Sequence, residues 1–188
     1  GEGFDVVAVV TQPDAAHGRS RSKLIPPPVK AAAEAEELPI FQPEKPTDGA
    51  FLLRLRETKP DIGVVVAYGH ILKAELLELP PRGMVNLHPS LLPAFPGAHA
   101  VRDALAWGVR VTGASVHLVD EGLDSGPIVV QRPVPILDGD TPRTLAARIL
   151  EQEHLAYPEA LRRLLTEPWR IEGQRLLFGR GASGGPSE

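Results

Sequence analysis

The chain has 188 residues, 43% of them apolar and 23% charged, with a formal net charge of −4 and no cysteine. Such a composition belongs to a globular protein of one-domain length, and it excludes a disulfide framework, a thiolate-bound metal, a thiol nucleophile and the strongly basic footprint of a dedicated nucleic-acid binder. No apolar run reaches the roughly 20 residues that span a bilayer, and the first residues lack the basic-then-apolar order of a signal peptide. The expectation is a cytoplasmic protein with no membrane partner. Residues 6–10 (VVAVV) and 62–67 (IGVVVA) are short apolar runs rich in β-branched side chains, the pattern of parallel strands covered on both faces. Between them, PVKAAAEAEE opens on proline and continues in strong helix formers, and GAFLLRLRETK sets Phe51, Leu52 and Leu55 on one stripe before Pro60. Residues 72–79 read as a short helix stopped by Pro80 and Pro81, 84–88 as the next strand, and 98–107 as a helix ended by Gly108. RVTGASVHLV and GPIVVQRPVPI then read as two successive strands. A long helix is predicted from Thr141 or Pro142 to about Leu165, with Leu145, Ile149 and Leu161 facing inward, and a small hairpin at WRIEGQRLL.

Alternating strands and helices predict an α/β three-layer fold, a mostly parallel sheet with helices on both faces. Residues 1–178 are expected to form a single domain and the Gly-rich residues 179–188 a disordered tail. GRGASGG within that tail has no following helix to complete a phosphate loop.

Ligands of open α/β sheets collect beyond the carboxyl ends of the parallel strands, where the loops diverge. AYGHIL (67–72) and NLHPSLLP (86–93) lie at two such ends. Strand alternation points Asn86 and His88 to one face, and Pro89, Pro93 and Pro96 restrict the chain immediately after them. A third candidate is DEGLDSGP (120–127), where Gly122 and Gly126 flank Asp124, a carboxylate that beside His88 fixes the ring tautomer and beside water acts as a base. Each feature also has an ordinary structural explanation. An Asn-x-His pair serves packing as readily as chemistry, Asp124 alone fits a turn, and His99, His117 and His154 fit helix-end or strand-surface positions. The six histidines have no metal-ligand spacing, so no metal is expected. The residues by themselves lead to an α/β enzyme with a polar cluster drawn from three loops.

Asn86-x-His88, SLLP at 90–93 and Asp124 in GLDSGP together resemble, in order and spacing, the folate-dependent formyltransferase family. The resemblance implies a Rossmann-like formyltransferase fold entered at its second strand, with the first strand and its Gly-rich phosphate loop expected to be absent from the chain. It implies an enzyme of one-carbon metabolism that moves a formyl group from the co-substrate 10-formyltetrahydrofolate to an amine, without a metal. Asn86, His88 and Asp124 are then its catalytic residues, and Tyr68, Gly69, His70, Ile71, Leu72, Asp120 and Gly122 its folate contacts. Residues 84–165 resemble glycinamide ribonucleotide transformylase, which implies Pro89 and Glu153 as substrate-binding residues. Residues 6–83 resemble the N-terminal domain of methionyl-tRNA formyltransferase, which implies Arg19, Arg21 and Lys23 near a tRNA acceptor; the same three residues also fit a solvated loop. The proline-rich loop after His88 weighs toward small-molecule substrates, and the expected function is formylation of glycinamide ribonucleotide in purine biosynthesis. Formylation of methionyl-tRNA is the alternative, with tRNA a partner under that reading alone, and a catalytically impaired folate-binding relic is a second. The sequence carries no signal for oligomeric state.

Overall fold

The computed structural model describes residues 3–17, 23–68 and 72–179. They fall into two compact units, one made of the residues up to Asp61 with Ala67–Pro81, the other of Ile62–Val66 with the residues from Arg82 onward.

In the first unit, β1 (Val9–Val10) pairs in parallel with β4 (Ile40–Phe41), and β2 (Ala15–His17) forms an antiparallel hairpin with β3 (Lys23–Ile25). Helix α1 (Pro28–Ala35) starts on a proline, whose missing N–H costs nothing in the first turn. Helix α2 (Gly49–Glu57) is capped by Asp48, whose carboxylate accepts from the N–H groups of Ala50 at 2.8 Å and Phe51 at 3.1 Å. Its buried Phe51 meets Phe41 edge-on, ring centres 6.0 Å apart. Helix α3 (Ala74–Leu77) is a single turn. The corner after β1 is tied by Asp14, which accepts from Gln42 at 2.8 Å and from Lys30 at 2.7 and 2.9 Å; these bonds, Gln42 first, hold its pKa below the ordinary carboxylate value.

The second unit is built on a six-stranded sheet. Its strands are β5 (Gly63–Val65), β6 (Met84–His88), β7 (Val111–Leu118), β8 (Ile128–Pro135), β9 (Trp169–Glu172) and β10 (Arg175–Phe178), in the order β5-β6-β7-β8-β10-β9. The pairs β5·β6 and β8·β10 are parallel, whereas β6·β7, β7·β8 and β9·β10 are antiparallel. Helix α4 (Ala100–Trp107) ends on left-handed Gly108, and helix α5 (Pro142–Thr166) packs across β7 and β8. Thr141 caps α5 reciprocally with Thr144, and the buried stripe Leu145, Ile149, Ala156, Ala160, Leu164 faces the sheet. Small Ala156 and Ala160 let the helix approach the Val85, Val116, Leu118, Val129 and Val130 cluster closely. The Tyr157 hydroxyl lies 2.7 Å from the Val65 carbonyl and 2.9 Å from that of Val85, fastening α5 where β5 meets β6. Burial raises the Tyr157 pKa above the ordinary phenol value, so the hydroxyl keeps the one proton that the two carbonyls share. The Leu164 carbonyl, near the helix end, accepts from Trp169 Nε1 at 3.1 Å and from Arg82.

The α/β class, the long helix and the terminal hairpin are as the periodicity predicts. The two β-branched runs differ from expectation. β1 has two strand residues, β5 has three, and Val64 and Val66 are 51% and 62% exposed. Val64 and Val66 share one face by alternation while Gly63 and Val65 are partly buried on the other, so this run is covered on one face rather than two. The helix read over 72–79 is confined to α3, and the β2–β3 hairpin and β4 are too short for a periodicity to betray them. Among the described residues, no helix is long and apolar enough to cross a membrane.

Because Leu145 is fully buried in the helix–sheet core, Leu145→Ala is expected to cost about 2–5 kcal/mol, read as a lower urea midpoint at unchanged slope. A loss below about 1 kcal/mol would show that α5 does not carry that core.

Candidate functional site

The register between β6 and β7 assembles the site. Asn86 is paired with His117 and His88 with Ser115, and residues directly opposite in an antiparallel pair project to the same face. His88 is 4% exposed and lies between two oxygen acceptors: Nε2 is 2.7 Å from the Phe95 carbonyl and Nδ1 is 3.3 Å from Asp124 Oδ2. Only the imidazolium form donates to both. His117, 2% exposed, has Nδ1 2.8 Å from the Leu118 carbonyl, while its Nε2 is 3.4 Å from Asn86 Nδ2 and 3.6 Å from Asp124 Oδ1. Asp124 therefore faces both imidazoles, one with each carboxylate oxygen.

Two loops are held firmly enough to keep this arrangement. After His88, the Ser115 hydroxyl donates to the Ser90 carbonyl at 2.7 Å and accepts from the Leu92 N–H at 3.0 Å, and Gln131 Nε2 reaches the Leu92 carbonyl at 2.9 Å. The loop then turns through Phe95 (φ 53°) and Gly97 (φ 88°), whose N–H donates to Asp124 Oδ2 at 2.8 Å. On the other side, Asp120 Oδ1 accepts from the Gly122 N–H at 3.0 Å and the Ser125 hydroxyl at 2.8 Å, closing residues 120–125 on themselves. Gly126 lies so close to the end of β7 that a Cβ there would overlap the Leu118 carbonyl oxygen. This close pass returns Asp124 to His88, with Asp124 itself left-handed at φ 50°, a conformation Asp tolerates better than most residues.

Asn86 and His88 from one stretch of sequence and Asp124 from another thus converge. Glu153 lies on α5, half-buried; burial raises its carboxyl above the ordinary value of 4.5, and the charges of His154 and then His88 pull it back, which sets Glu153 within the electrostatic reach of His88. Pro89 lines a pocket of about 320 Å³ with His99, Arg102, Pro142 and Ala146. Asp120 and Gly122 are exposed in the loop of Asp124, where the bonds of Asp120 shape the loop itself. Tyr68 and Leu72 belong to the first unit, both half-buried; burial raises the Tyr68 phenol, and the Tyr68 carbonyl accepts from Gln12 at 3.0 Å. Gly69, His70, Ile71, Arg19 and Arg21 lie outside the described residues, as does the tail beyond Gly179, and Lys23 is described by its backbone in β3. His117 is the residue that sequence reasoning passed over. Its only signal is the alternation in RVTGASVHLV, which sets Ser115 and His117 on one face but does not say which strand lies opposite. Among the described residues, no group of three or more His, Cys, Asp or Glu side chains is placed to hold a metal ion.

A donor amide, an imidazole between two acceptors and a carboxylate, gathered at strand ends, are equipped to stabilise a developing oxyanion and to take a proton: the requirements of a group-transfer enzyme acting on a carbonyl. The formyl transferase family model matches residues 1–161, and the chain belongs to that family. The methionyl-tRNA formyltransferase of Chloroflexus aggregans is 49% identical over 134 residues, 71% of this chain and 43% of that protein. That of Anaeromyxobacter sp. (strain K) is 45% identical over 162 residues, 86% of this chain and 52% of that protein. The chain spans about half the length of these curated relatives. Among solved structures, glycinamide ribonucleotide transformylase 1 from Symbiobacterium toebii superposes with a TM-score of 0.76 at 35% identity, covering 92% of this chain and 80% of that one. A formyltetrahydrofolate deformylase from Pseudomonas syringae pv. tomato has a TM-score of 0.71 at 27% identity, over 80% of this chain and 52% of that one.

These relatives overturn the expected acceptor. The reading toward glycinamide ribonucleotide leaned on the proline-rich loop after His88, yet the relatives that match 71% and 86% of the chain at 49% and 45% identity are methionyl-tRNA formyltransferases. The structure gives the physical reason. The loop is fixed by Ser115 and Gln131 to satisfy its own buried backbone, so its sequence reports packing rather than the identity of an amine.

A carboxyl raised by burial is bound to a proton more often in the folded than in the unfolded chain, so its contribution to stability falls as pH rises above the unfolded value. Glu153→Gln is therefore expected to melt higher than the parent above pH 4.5, by a margin that vanishes well below that pH, grows as the carboxyl ionises and levels off once it is ionised in the folded chain. A pH-independent difference in melting temperature would contradict the burial of this group.

Proposed function

We propose that the chain is the formyl-transferring portion of an enzyme of the methionyl-tRNA formyltransferase type. It moves the formyl group of 10-formyltetrahydrofolate to the amino group of methionine esterified to tRNA. The observation that carries the chemistry is the convergence of Asn86, His88 and Asp124; the names of the relatives support the acceptor.

The amine nitrogen attacks the formyl carbon, a C–N bond forms and the carbonyl π pair moves onto oxygen. Asn86 Nδ2 has a second N–H beyond the one directed at His117, and it serves the oxyanion. His88 adds positive charge beside it. Its Nε2–H reaches the oxyanion directly only by releasing the Phe95 carbonyl, 2.7 Å away. Asp124 orients His88 through Nδ1 and takes the proton of the attacking amine, directly or through water. Collapse of the intermediate breaks the bond to the folate nitrogen, which recovers that proton. The formyl carbon is already electrophilic through its aryl amine, so this set of groups suffices for the step. Tyr68 and Leu72 are proposed as pterin contacts, Glu153 as a carboxyl on the acceptor side near His88, and Arg19, Arg21 and Lys23 as the positive charge met by the tRNA backbone.

His88→Ala and Asp124→Asn are each expected to remove most turnover with the circular dichroism spectrum retained, and Asn86→Ala to lower kcat by about 10²–10³-fold, the usual cost of one oxyanion donor. Rates near the parent in any of the three would refute the assigned role. For the acceptor, incubation with 10-formyltetrahydrofolate and methionyl-tRNA should yield N-formylmethionine after deacylation; loss of donor formyl without that product would refute tRNA as the acceptor.

A further inference from the structure

We infer that His117 is a positioning residue that sets which way round the Asn86 amide lies, and through it the donor offered to the formyl oxygen. An Asn side chain has nearly the same shape in its two amide orientations, and only its partners choose between them. Here the choice is forced in three links. The Leu118 carbonyl, 2.8 Å from His117 Nδ1, is purely an acceptor, so Nδ1 carries the ring hydrogen. In the neutral ring Nε2 then holds a lone pair. The β6–β7 register sets Asn86 opposite His117, and Nε2 lies 3.4 Å from the amide, a bond that forms only if the –NH₂ group faces the ring. One N–H is thereby spent on His117 and the other left for a ligand. The reversed amide would set Oδ1 against the Nε2 lone pair and withdraw both donors from their places.

The surroundings reinforce this. His117 is 2% exposed, so water has little room to replace its acceptor. Against it stands Asp124 Oδ1, 3.6 Å from Nε2, which is beyond hydrogen-bond distance but whose charge favours a proton on that nitrogen. A β-bulge between Val116 and His117 shifts the β8 register at this residue while the bonded register to β6 is kept.

The inference rests on the formyl-transfer reading for its kinetics but not for its spectroscopy. Two-bond ¹H–¹⁵N correlation spectra of the folded chain should show His117 as the Nδ1–H tautomer at neutral pH; an Nε2–H or doubly protonated ring would overturn the inference. In formyl transfer, His117→Phe should lower kcat about 10-fold or more with little change in KM for the donor. His117→Gln, whose Oε1 sits near the place of Nε2, should recover most of that loss. In an Asn86→Ala background His117→Phe should cost no more than about 2-fold, because the two residues act as one unit. Equal fold-losses in both backgrounds would overturn it. If the parent chain transfers no formyl group, the formyl-transfer reading fails alone and the spectrum still decides the tautomer.

Discussion

The antiparallel pairing of β6 with β7 is the constraint from which the rest of the site follows. The register Asn86↔His117 and His88↔Ser115 decides which four side chains share a face. A slip of one residue would turn Asn86 and His88 to the opposite face and set Leu87 in their place. That register is fixed from beneath by the apolar side chains between the polar ones: Val85 and Val116 are fully buried, and with Leu118 they meet the Ala156–Ala160–Leu164 stripe of α5. The core therefore does more than stabilise the unit. It specifies the face on which the chemistry is displayed.

Holding a carboxylate and two imidazoles in a site where the rings are 4% and 2% exposed is expensive, since each charged form loses hydration that neighbours must replace. The structure replaces it with fixed partners: the Phe95 and Leu118 carbonyls for the rings, and the Gly97 N–H for Asp124. Those partners are useful only if the loops carrying them stay put. Ser115 illustrates the economy of the arrangement, since it pairs with His88 across the sheet while its hydroxyl bonds the Ser90 carbonyl and the Leu92 N–H. The same residue thus belongs to the register and to the loop.

How much of this could be read from the sequence depends on the range of the interaction. The shared face of Asn86 and His88 is a property of one strand and was legible from alternation alone. The caps and limits of α5, from Thr141 to its last turn, are local too. The approach of Asp124 depended on Gly126 sliding past the Leu118 carbonyl, a contact that gives Gly126 its meaning only once β7 and the loop are in place. His117 was not legible because alternation within one strand does not say which strand lies opposite, and it is the antiparallel pairing with β6 that sets His117 against Asn86. The β-branched runs at 6–10 and 62–67 misled for a related reason: hydrophobic content shows that a strand is favoured but not whether a neighbour covers its second face. The acceptor was misjudged because a rigid loop looks alike whether its rigidity serves packing or recognition.

The His88 environment carries the last step. Both ring nitrogens face oxygen acceptors, Nε2 the Phe95 carbonyl at 2.7 Å and Nδ1 the Asp124 carboxylate at 3.3 Å. Under the proposed formyl transfer, a direct hydrogen bond from Nε2 to the formyl oxygen requires that this oxygen replace the Phe95 carbonyl. Phe95 lies in the left-handed region at φ 53°, an uncommon conformation for an aromatic residue, in a stretch whose two ends are tied down: Leu92 to Ser115 and Gln131, Gly97 to Asp124. Exchange of one carbonyl oxygen for another therefore asks for a small rotation between fixed ends rather than the opening of a loop. The Asn86 amide needs no such exchange, because its second N–H is uncommitted. Under the proposed formyl transfer the two donors are therefore unequal: Asn86 has an N–H to offer the formyl oxygen directly, and His88 does so once the Phe95 carbonyl gives way.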